Sequence, residues 1–489
     1  MADDFWPPNA VFASSASAGG ISARLPTAAT SKRVAIVVVM PSVTPVPGKP
    51  NLLLGAYAIS DVGYTASEFL VSGTASSYAA GTSGQADYTT RIVVQTPIDV
   101  TKFNGTVIVE WLNVSGGIDA PAVWLMAHRE IVREGYAYVA VSAQEVGIQG
   151  GHTITGFDMS LKKQDPERYS SLSHPGDVYS FDIFSQIGSL IRESADEVLG
   201  GLEPEFVVAV GESQSAMFLT TYVNSVDQDA KVYDGFLVHS RFGVAAPLDG
   251  VSALEGLQSG EPDPAPFRPD LRVPVMTVIT ETDLVGAVSA GYYLARQPDN
   301  ERLRTWEIPG TSHADNYTIK VGFIDSGSAP LDQLAAGYAP TNALMGQELD
   351  YYINFAPQHH YVLQAAIAGL DGWVRTGTPP PSAPLLEIGE GDPPPLLLDA
   401  NGIAKGGVRT PWVDVPIART SGVVHTENVM AFLFGSGEPF DAATRSRLYP
   451  GGKTEYLERF TESLDAAIRA GYLVRADRSE ILELAAAAY

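Results

Sequence analysis

The chain has 489 residues, of which 45% are hydrophobic and 18% are charged, and this composition favours a globular protein with a large core over a disordered chain. The formal net charge of −25 disfavours nucleic acids and anionic membrane surfaces as partners. Because the chain contains no cysteine, disulfide bonds, thiolate metal sites and a cysteine nucleophile are excluded.

The N-terminal sequence, MADDFWPP, is acidic and has neither the basic region nor the apolar run of a signal peptide. No apolar stretch approaches the roughly 20 residues that are needed to span a bilayer. We therefore expect a soluble, cytoplasmic protein with no membrane partner. Its oligomeric state cannot be read from the sequence.

The first 104 residues are predicted to be a β-rich extension that packs on the rest of the chain. After a loosely ordered arm over residues 1–30, short runs of β-branched and aromatic residues predict antiparallel strands. These strands are expected at residues 34–40, 52–59, 68–71 and 88–95.

From residue 105 to about 320, predicted strands alternate with predicted helices, which indicates βαβ units and a mainly parallel sheet. The strands are expected at residues 106–113, 136–142, 206–210, 232–239, 273–280 and 304–308, and the helices at 121–134, 177–199 and 216–223. We expect a core over residues 105–385, with inserted loops at 245–270 and 321–358 and a helix at 362–375. Residues 386–489 are expected to form a C-terminal extension of loops and two helices, at 453–469 and 478–487.

Ser213 lies at the junction of a predicted strand and a predicted helix, in the sequence GESQS. Small residues stand two positions before it (Gly211) and two positions after it (Ser215), as in a nucleophile elbow, although the second position is usually glycine. A serine at such a corner has its hydroxyl exposed, and bulk at the flanking positions would collide with the strand and the helix. Ser213 is therefore a candidate nucleophile.

A serine nucleophile needs a histidine base and a carboxylate that orients it. Glu281 and Asp283 follow the strand expected at 273–280, and His313 follows the strand expected at 304–308. The order serine, acid, histidine, with each group just past a strand, indicates a catalytic triad. Asp283 is favoured as the acid because of its distance from the strand end, with Glu281 as the alternative.

The remaining histidines are weaker candidates for the base. His359 and His360 are the main rivals, but they are expected to precede a helix and no strand lies before them. Structural roles are expected for His128 and His239, and the predicted loops that carry His152 and His174 could border a cleft. No metal-ligand spacing, dinucleotide-binding motif or phosphate-binding loop is present, so we expect neither a metal nor a cofactor.

The developing oxyanion of an acyl-transfer reaction needs preorganised N–H donors. One is expected from Gln214, which follows the nucleophile at the start of the helix. The other is expected from the loop 113–117, where Asn113, Val114 and Ser115 are the candidates.

These motifs resemble the α/β-hydrolase superfamily, and within it a large bacterial branch of "alpha/beta hydrolase domain" proteins. The resemblance rests on GESQSA at 211–216, ETD at 281–283 and WEIPGTSHAD at 306–315, with support at 110–117, 357–361 and 406–413. The chain differs from that branch at Glu212, where we expect histidine in the branch. The resemblance implies an α/β-hydrolase fold, in which a mainly parallel central sheet is flanked by helices, and serine hydrolysis of carboxylic esters.

We therefore expect a serine hydrolase that cleaves a small-molecule carboxylic ester through an acyl-enzyme. The same residues could instead support an amidase or an acyltransferase, and a non-catalytic binding protein that retains the fold is a further alternative. A glycosidase would need two carboxylates flanking a sugar cleft. The substrate itself cannot be identified from the sequence.

Overall fold

The computed structural model describes residues 40–79, 81, 84–151, 153, 156–250, 263–286, 290–426 and 428–489. Within these residues nine strands form one sheet, in the order β1-β2-β3-β5-β4-β6-β7-β8-β9. The strands are β1 (Ser42–Val46), β2 (Tyr64–Ser76), β3 (Gln85–Pro97), β4 (Thr106–Trp111), β5 (Ala137–Val141), β6 (Phe206–Glu212), β7 (Gly235–His239), β8 (Val275–Thr280) and β9 (Leu303–Ile308).

The sheet has an antiparallel edge and a parallel body. Strands β1, β2 and β3 pair antiparallel with one another, and β3 pairs antiparallel with β5. From β5 through β4, β6, β7 and β8 to β9, every pairing is parallel. The N-terminal strands therefore extend the central sheet at one edge instead of forming a sheet of their own.

Both faces of the parallel body are covered. All six residues of β4 are buried, and neighbouring side chains alternate between the faces: Val107 and Val109 pack on one side and Ile108 on the other. Helices Ser180–Glu193 and Gln214–Thr221 cover the first face. Helices Ala122–Arg133, Gln358–Thr376, Gly452–Ala470 and Arg478–Ala488 cover the second. The mainly parallel sheet flanked by helices is thus confirmed.

The other α-helices of the described residues are short. They are Glu145–Gln149, Leu161–Gln164, Ala195–Leu199, Asp227–Ala230, Glu281–Val285, Gly322–Ile324, Leu331–Gly337, Pro411–Asp414, Val429–Leu433 and Ala442–Leu448. Two small antiparallel pairs lie outside the main sheet: Ala343–Leu344 with Gln347–Glu348, and Ala418–Ser421 with Ser436–Pro439.

Several predicted elements differ from the structure. The strand expected at 52–59 is wrong, because its apolar residues pack against the second face and the Leu54 carbonyl accepts a hydrogen bond from Trp124 Nε1 at 2.8 Å. The long helix expected at 177–199 is interrupted at Ser194, whose φ of −137° is not helical. The segment 321–358, expected to be irregular, contains helix Leu331–Gly337. Residues 34–39 and 251–262 lie outside the described residues.

Candidate active site

Ser213 forms the turn between β6 and helix Gln214–Thr221, as the sequence predicts. Its φ of 57° and ψ of −118° lie in a region that non-glycine residues seldom adopt. The turn is held by a hydrogen bond from the Ser213 N–H to the His239 carbonyl at 3.0 Å. A Cβ on Gly211 would lie 3.2 Å from the Ser215 carbonyl oxygen, so the glycine leaves room for the close approach of the helix to the strand. Ser213 is only partly buried.

His313 lies between Ser213 and Asp283. Its Nε2 is 2.9 Å from Ser213 Oγ, and its Nδ1 is 2.6 Å from Asp283 Oδ1. The ring of Phe242 stacks on the imidazole, with the ring centroids 5.4 Å apart and the planes 22° from parallel. A hydroxyl, an imidazole and a carboxylate therefore form one hydrogen-bonded row, although the three residues come from the ends of three different strands.

The carboxylate of Asp283 is fixed by the turn that follows β8. Its Oδ2 accepts hydrogen bonds from the Thr280 N–H at 2.9 Å and from Thr280 Oγ1 at 2.7 Å, so that Oδ1 faces His313. Thr280 and Asp283 form a capping box at the start of helix Glu281–Val285. The Asp283 side chain has no solvent exposure, and its orientation is therefore set before any substrate arrives.

Glu281, the alternative acid, points elsewhere. Its Oε1 accepts the Gly310 N–H at 2.5 Å, and its Oε2 accepts Ser421 Oγ and the Gly422 N–H, each at 2.8 Å. Burial raises the pKa of the Glu281 carboxyl above its ordinary value. Of the two candidate acids, Asp283 is the one in contact with His313, whereas Glu281 ties the loops after β8 and β9 to the C-terminal segment.

Gly422 is packed so closely at this junction that Gly422→Ala is expected to destabilise the fold. A Cβ there would lie 2.5 Å from the Thr282 N–H nitrogen and would also collide with the Thr311 carbonyl, and backbone atoms cannot move aside as a flexible side chain can. We expect urea unfolding to show a loss of about 2 kcal/mol or more. Gly372→Ala is the matched control, since nothing lies within 4 Å of its added methyl group. Equal stability of the two variants would contradict the close packing.

The charges around His313 favour its protonated form. Burial by itself lowers the pKa of His313, but the charge of Asp283, the hydrogen bond to it and the charge of Glu212 outweigh burial and raise the pKa to about 9. Burial also raises the pKa of Glu212, against the opposing charge of His313. Below about pH 9 the imidazole is therefore mostly protonated.

The loop that follows β4 lies beside the Ser213 turn. Asn113 Nδ2 donates to the Glu212 carbonyl at 3.1 Å, which joins this loop to the end of β6. The Asn113 N–H donates to the Ala120 carbonyl at 3.1 Å, and the Ser115 N–H donates to Asn113 Oδ1 at 2.9 Å. Among the three candidate donors, Val114 is the one whose N–H has no acceptor within the described part of the chain. Gln214 is the first residue of its helix, where N–H groups are free to bind an anion.

The beginning of helix Ala122–Arg133 fixes the far end of this loop. The buried carboxylate of Glu110, in β4, accepts the Val123 N–H at 2.8 Å, the Trp124 N–H at 3.0 Å and the Tyr138 hydroxyl at 2.6 Å. Burial raises the pKa of Glu110 to about 8. The strand and the helix are therefore joined directly, and the loop between them has little freedom.

The other described histidines that were considered as bases have partners away from Ser213. His359 and His360 lie inside helix Gln358–Thr376, so the expectation that they precede a helix is wrong. His359 Nε2 is 2.8 Å from His239 Nε2, and His360 Nε2 is 2.8 Å from the Tyr338 hydroxyl. His128 Nδ1 and His174 Nε2 contact backbone carbonyls, at 3.1 Å and 3.0 Å. His152 lies outside the described residues.

Sequence reasoning missed three residues that support the site. Thr280 could have been found from the T-x-x-D spacing of a capping box. Thr282 Oγ1 accepts the His313 N–H at 3.2 Å, but no sequence motif as specific as the capping box marks this residue. The stacking of Phe242 on His313 has no signal in the sequence. The approach of Glu212 Oε1 to within 3.4 Å of His313 Nε2 was likewise not predicted.

Among the described residues, no group of three or more His, Asp or Glu side chains could hold a metal ion. None of the helices in the described ranges combines the length and the hydrophobicity of a membrane span.

Solved structures with low similarity to this chain include several hydrolases. A serine hydrolase without a lid from Xanthomonas campestris is 11% identical, with a TM-score of 0.31, and the match covers 55% of this chain and 93% of that one. An esterase from Pyrococcus furiosus is 10% identical, with a TM-score of 0.29, covering 53% of this chain and 87% of that one. A glucuronoyl esterase from Solibacter usitatus is 11% identical, with a TM-score of 0.29, covering 55% and 80%. Similarity at this level says nothing about the substrate of this chain.

Sequence comparison with protein families is more informative. Among curated proteins, none matches this chain. A family model described as "Alpha/beta hydrolase domain" matches residues 26–483, which includes the antiparallel edge, the parallel body and most of the C-terminal helices. The chain therefore belongs to the alpha/beta hydrolase domain family.

Proposed function

We propose that the protein is a serine hydrolase that cleaves a carboxylic ester through an acyl-enzyme intermediate. The observation that carries this proposal is the row formed by Ser213, His313 and Asp283, with contacts of 2.9 Å and 2.6 Å. A serine hydroxyl paired with an oriented imidazole is the arrangement that activates serine for acyl transfer. The family of the chain supports the same general class of reaction.

In the proposed mechanism, Ser213 Oγ attacks the ester carbonyl while its proton moves to His313 Nε2. Asp283 accepts the Nδ1–H of His313, which keeps the imidazole in the tautomer that can take this proton and stabilises the imidazolium that forms. The N–H groups of Gln214 and Val114 donate to the oxyanion. His313 then returns its proton to the leaving alcohol. A water molecule, activated in the same way, releases the acid.

The same apparatus would also serve an amidase or an acyltransferase. Which reaction occurs depends on the leaving group and on the nucleophile that accepts the acyl group. Ester hydrolysis is the proposal for two reasons. It needs no acyl acceptor besides water, and an alcohol is expelled more readily than an amine. A non-catalytic binding protein would have no need for the strained φ of 57° at Ser213 or for the buried, oriented carboxylate of Asp283.

We expect hydrolysis to be faster at alkaline pH. His313 must be neutral to accept the proton of Ser213, and its pKa is raised to about 9. Well below that pH, kcat/KM is expected to rise about tenfold for each pH unit and to level off near pH 9. The measurement is a pH profile with a neutral p-nitrophenyl ester, corrected for spontaneous hydrolysis. A profile that is already flat at pH 7 would contradict this expectation.

The proposal is tested by labelling the protein with an uncharged fluorophosphonate probe at alkaline pH and mapping the modified peptide. An adduct on the peptide that contains Ser213 is expected, together with hydrolysis of short-chain p-nitrophenyl esters. Comparing esters of increasing acyl length with the corresponding amides then separates an esterase from an amidase. Absence of any adduct on the folded protein would overturn the proposal.

A further inference from the structure

Glu212 brings a second carboxylate to the imidazole of His313. Its Oε1 lies 3.4 Å from His313 Nε2, the same nitrogen that faces Ser213 Oγ at 2.9 Å. The other carboxylate oxygen, Oε2, accepts Asn113 Nδ2 at 3.0 Å. Since Asn113 also bonds the Glu212 carbonyl, both the backbone and the side chain of Glu212 are held in place. The side chain is 12% exposed, so it lies at the wall of the site.

The two carboxylates flank opposite sides of the ring. Asp283 contacts Nδ1, as in any serine triad, whereas Glu212 lies beside Nε2, where the proton of the nucleophile arrives. When His313 is protonated, its Nε2–H donates to Ser213 Oγ, and the Glu212 carboxylate lies close enough to interact with the positive charge of the ring. A negative charge at this position stabilises the imidazolium. The Glu212 carboxylate stabilises the imidazolium in the resting enzyme as well as after the attack of Ser213.

Few other charged groups near His313 oppose the stabilisation of its imidazolium by Glu212. The ring of Phe242, which stacks on His313, carries no charge. His239, from β7, is buried next to His359, and burial, followed by the charges of His359 and His313, lowers its pKa, so it stays neutral. Across the described residues, no lysine or arginine forms an ion pair with Glu212. The positively charged group that Glu212 approaches is therefore His313 itself.

We propose that Glu212 is a second positioning carboxylate for His313, which holds the imidazolium form and moves the active pH range of the enzyme upward. This inference rests on the serine hydrolase function proposed above. Its consequence is that the enzyme is largely inactive at neutral pH, because the base already carries its proton. Loss of the Glu212 charge should extend activity toward neutral pH.

The test is the pH dependence of inactivation by the same uncharged fluorophosphonate, a reaction that requires no knowledge of the natural substrate. In Glu212→Gln, which keeps the size of the side chain, we expect the midpoint of the second-order rate constant to fall by about one pH unit or more. At pH 7 the variant should therefore react about tenfold faster than the native enzyme, relative to each enzyme's alkaline plateau. Glu193→Gln, at the exposed end of helix Ser180–Glu193, is the control and should leave the midpoint unchanged.

The outcomes separate this inference from the proposed function. If the native protein is not labelled at any pH, the proposed function fails. If Glu212→Gln is labelled with an unchanged midpoint, the inference is overturned and the proposed function stands. A purely structural role for Glu212 would lower the rate at every pH without moving the midpoint. If thermal unfolding shows that Glu212→Gln does not fold, Glu212→Asp is the second variant. It moves the carboxylate away from His313 by the length of one methylene group. An intermediate midpoint is then expected, and an unchanged one would overturn the inference.

Discussion

Ser213→Ala is expected to abolish fluorophosphonate labelling and to lower kcat/KM for ester hydrolysis by at least about 10³-fold. The reason is that Ser213 Oγ is the atom that faces His313 Nε2 at 2.9 Å and is the nucleophile of the proposed reaction. Alanine keeps the Cβ and so leaves the geometry of the turn unchanged. We therefore expect the thermal unfolding temperature of the variant to stay close to that of the native protein.

Ser215→Ala is the matched control for this experiment. Ser215 lies two residues further on, and its Oγ donates to the Glu212 carbonyl at 2.8 Å instead of facing His313. The variant should still be labelled on the Ser213 peptide, although it loses two hydrogen bonds of Ser215 Oγ, one to the Glu212 carbonyl and one from the Glu212 N–H, at about 1 kcal/mol each. Persistent labelling of a folded Ser213→Ala would show that Ser213 is not the nucleophile, and loss of labelling in a folded Ser215→Ala would show that the effect is not specific to Ser213.

Asp283→Asn is expected to lower kcat by about 10⁴-fold, measured on the alkaline plateau. The asparagine amide can donate to His313 Nδ1, and this favours the tautomer whose proton sits on Nε2. That tautomer cannot accept the proton of Ser213. Because the Asn oxygen can still accept the two hydrogen bonds from Thr280, the turn after β8 should keep its shape.

Glu281→Gln distinguishes the two candidate acids. Glu281 accepts three hydrogen bonds, from Gly310, Ser421 and Gly422, and none of them involves His313. A glutamine would place an NH₂ group against at least one of these donors. We expect a loss of about 1–3 kcal/mol in the free energy of unfolding and a kcat within about tenfold of the native value. If instead Glu281→Gln lost the activity and Asp283→Asn retained it, Asp283 would not be the acid of the triad.

Much of the fold follows from local patterns in the sequence. The strand at β6 and the helix that follows Ser213 were predicted because β-branched runs favour strands and small residues favour a sharp turn. The alternation of strands and helices after residue 105 predicted a parallel sheet, because it indicates βαβ units, in which the strands are parallel. The segment 52–59 was mistaken for a strand because an apolar run has the same composition whether it pairs with a strand or packs on a helix.

The sequence by itself determined which residues stand at the ends of the strands: a serine after β6, two carboxylates after β8 and a histidine after β9. Only the tertiary structure decided which of these side chains meet. Glu281 and Asp283 are two residues apart, so spacing alone leaves both within reach of His313. The choice depends on Ser421 and Gly422, which lie 140 and 141 residues away and bind Glu281. The approach of Glu212 to His313 likewise depends on Asn113, 99 residues before it. Contacts at such separations are set by packing in three dimensions, and no local pattern in the chain encodes them.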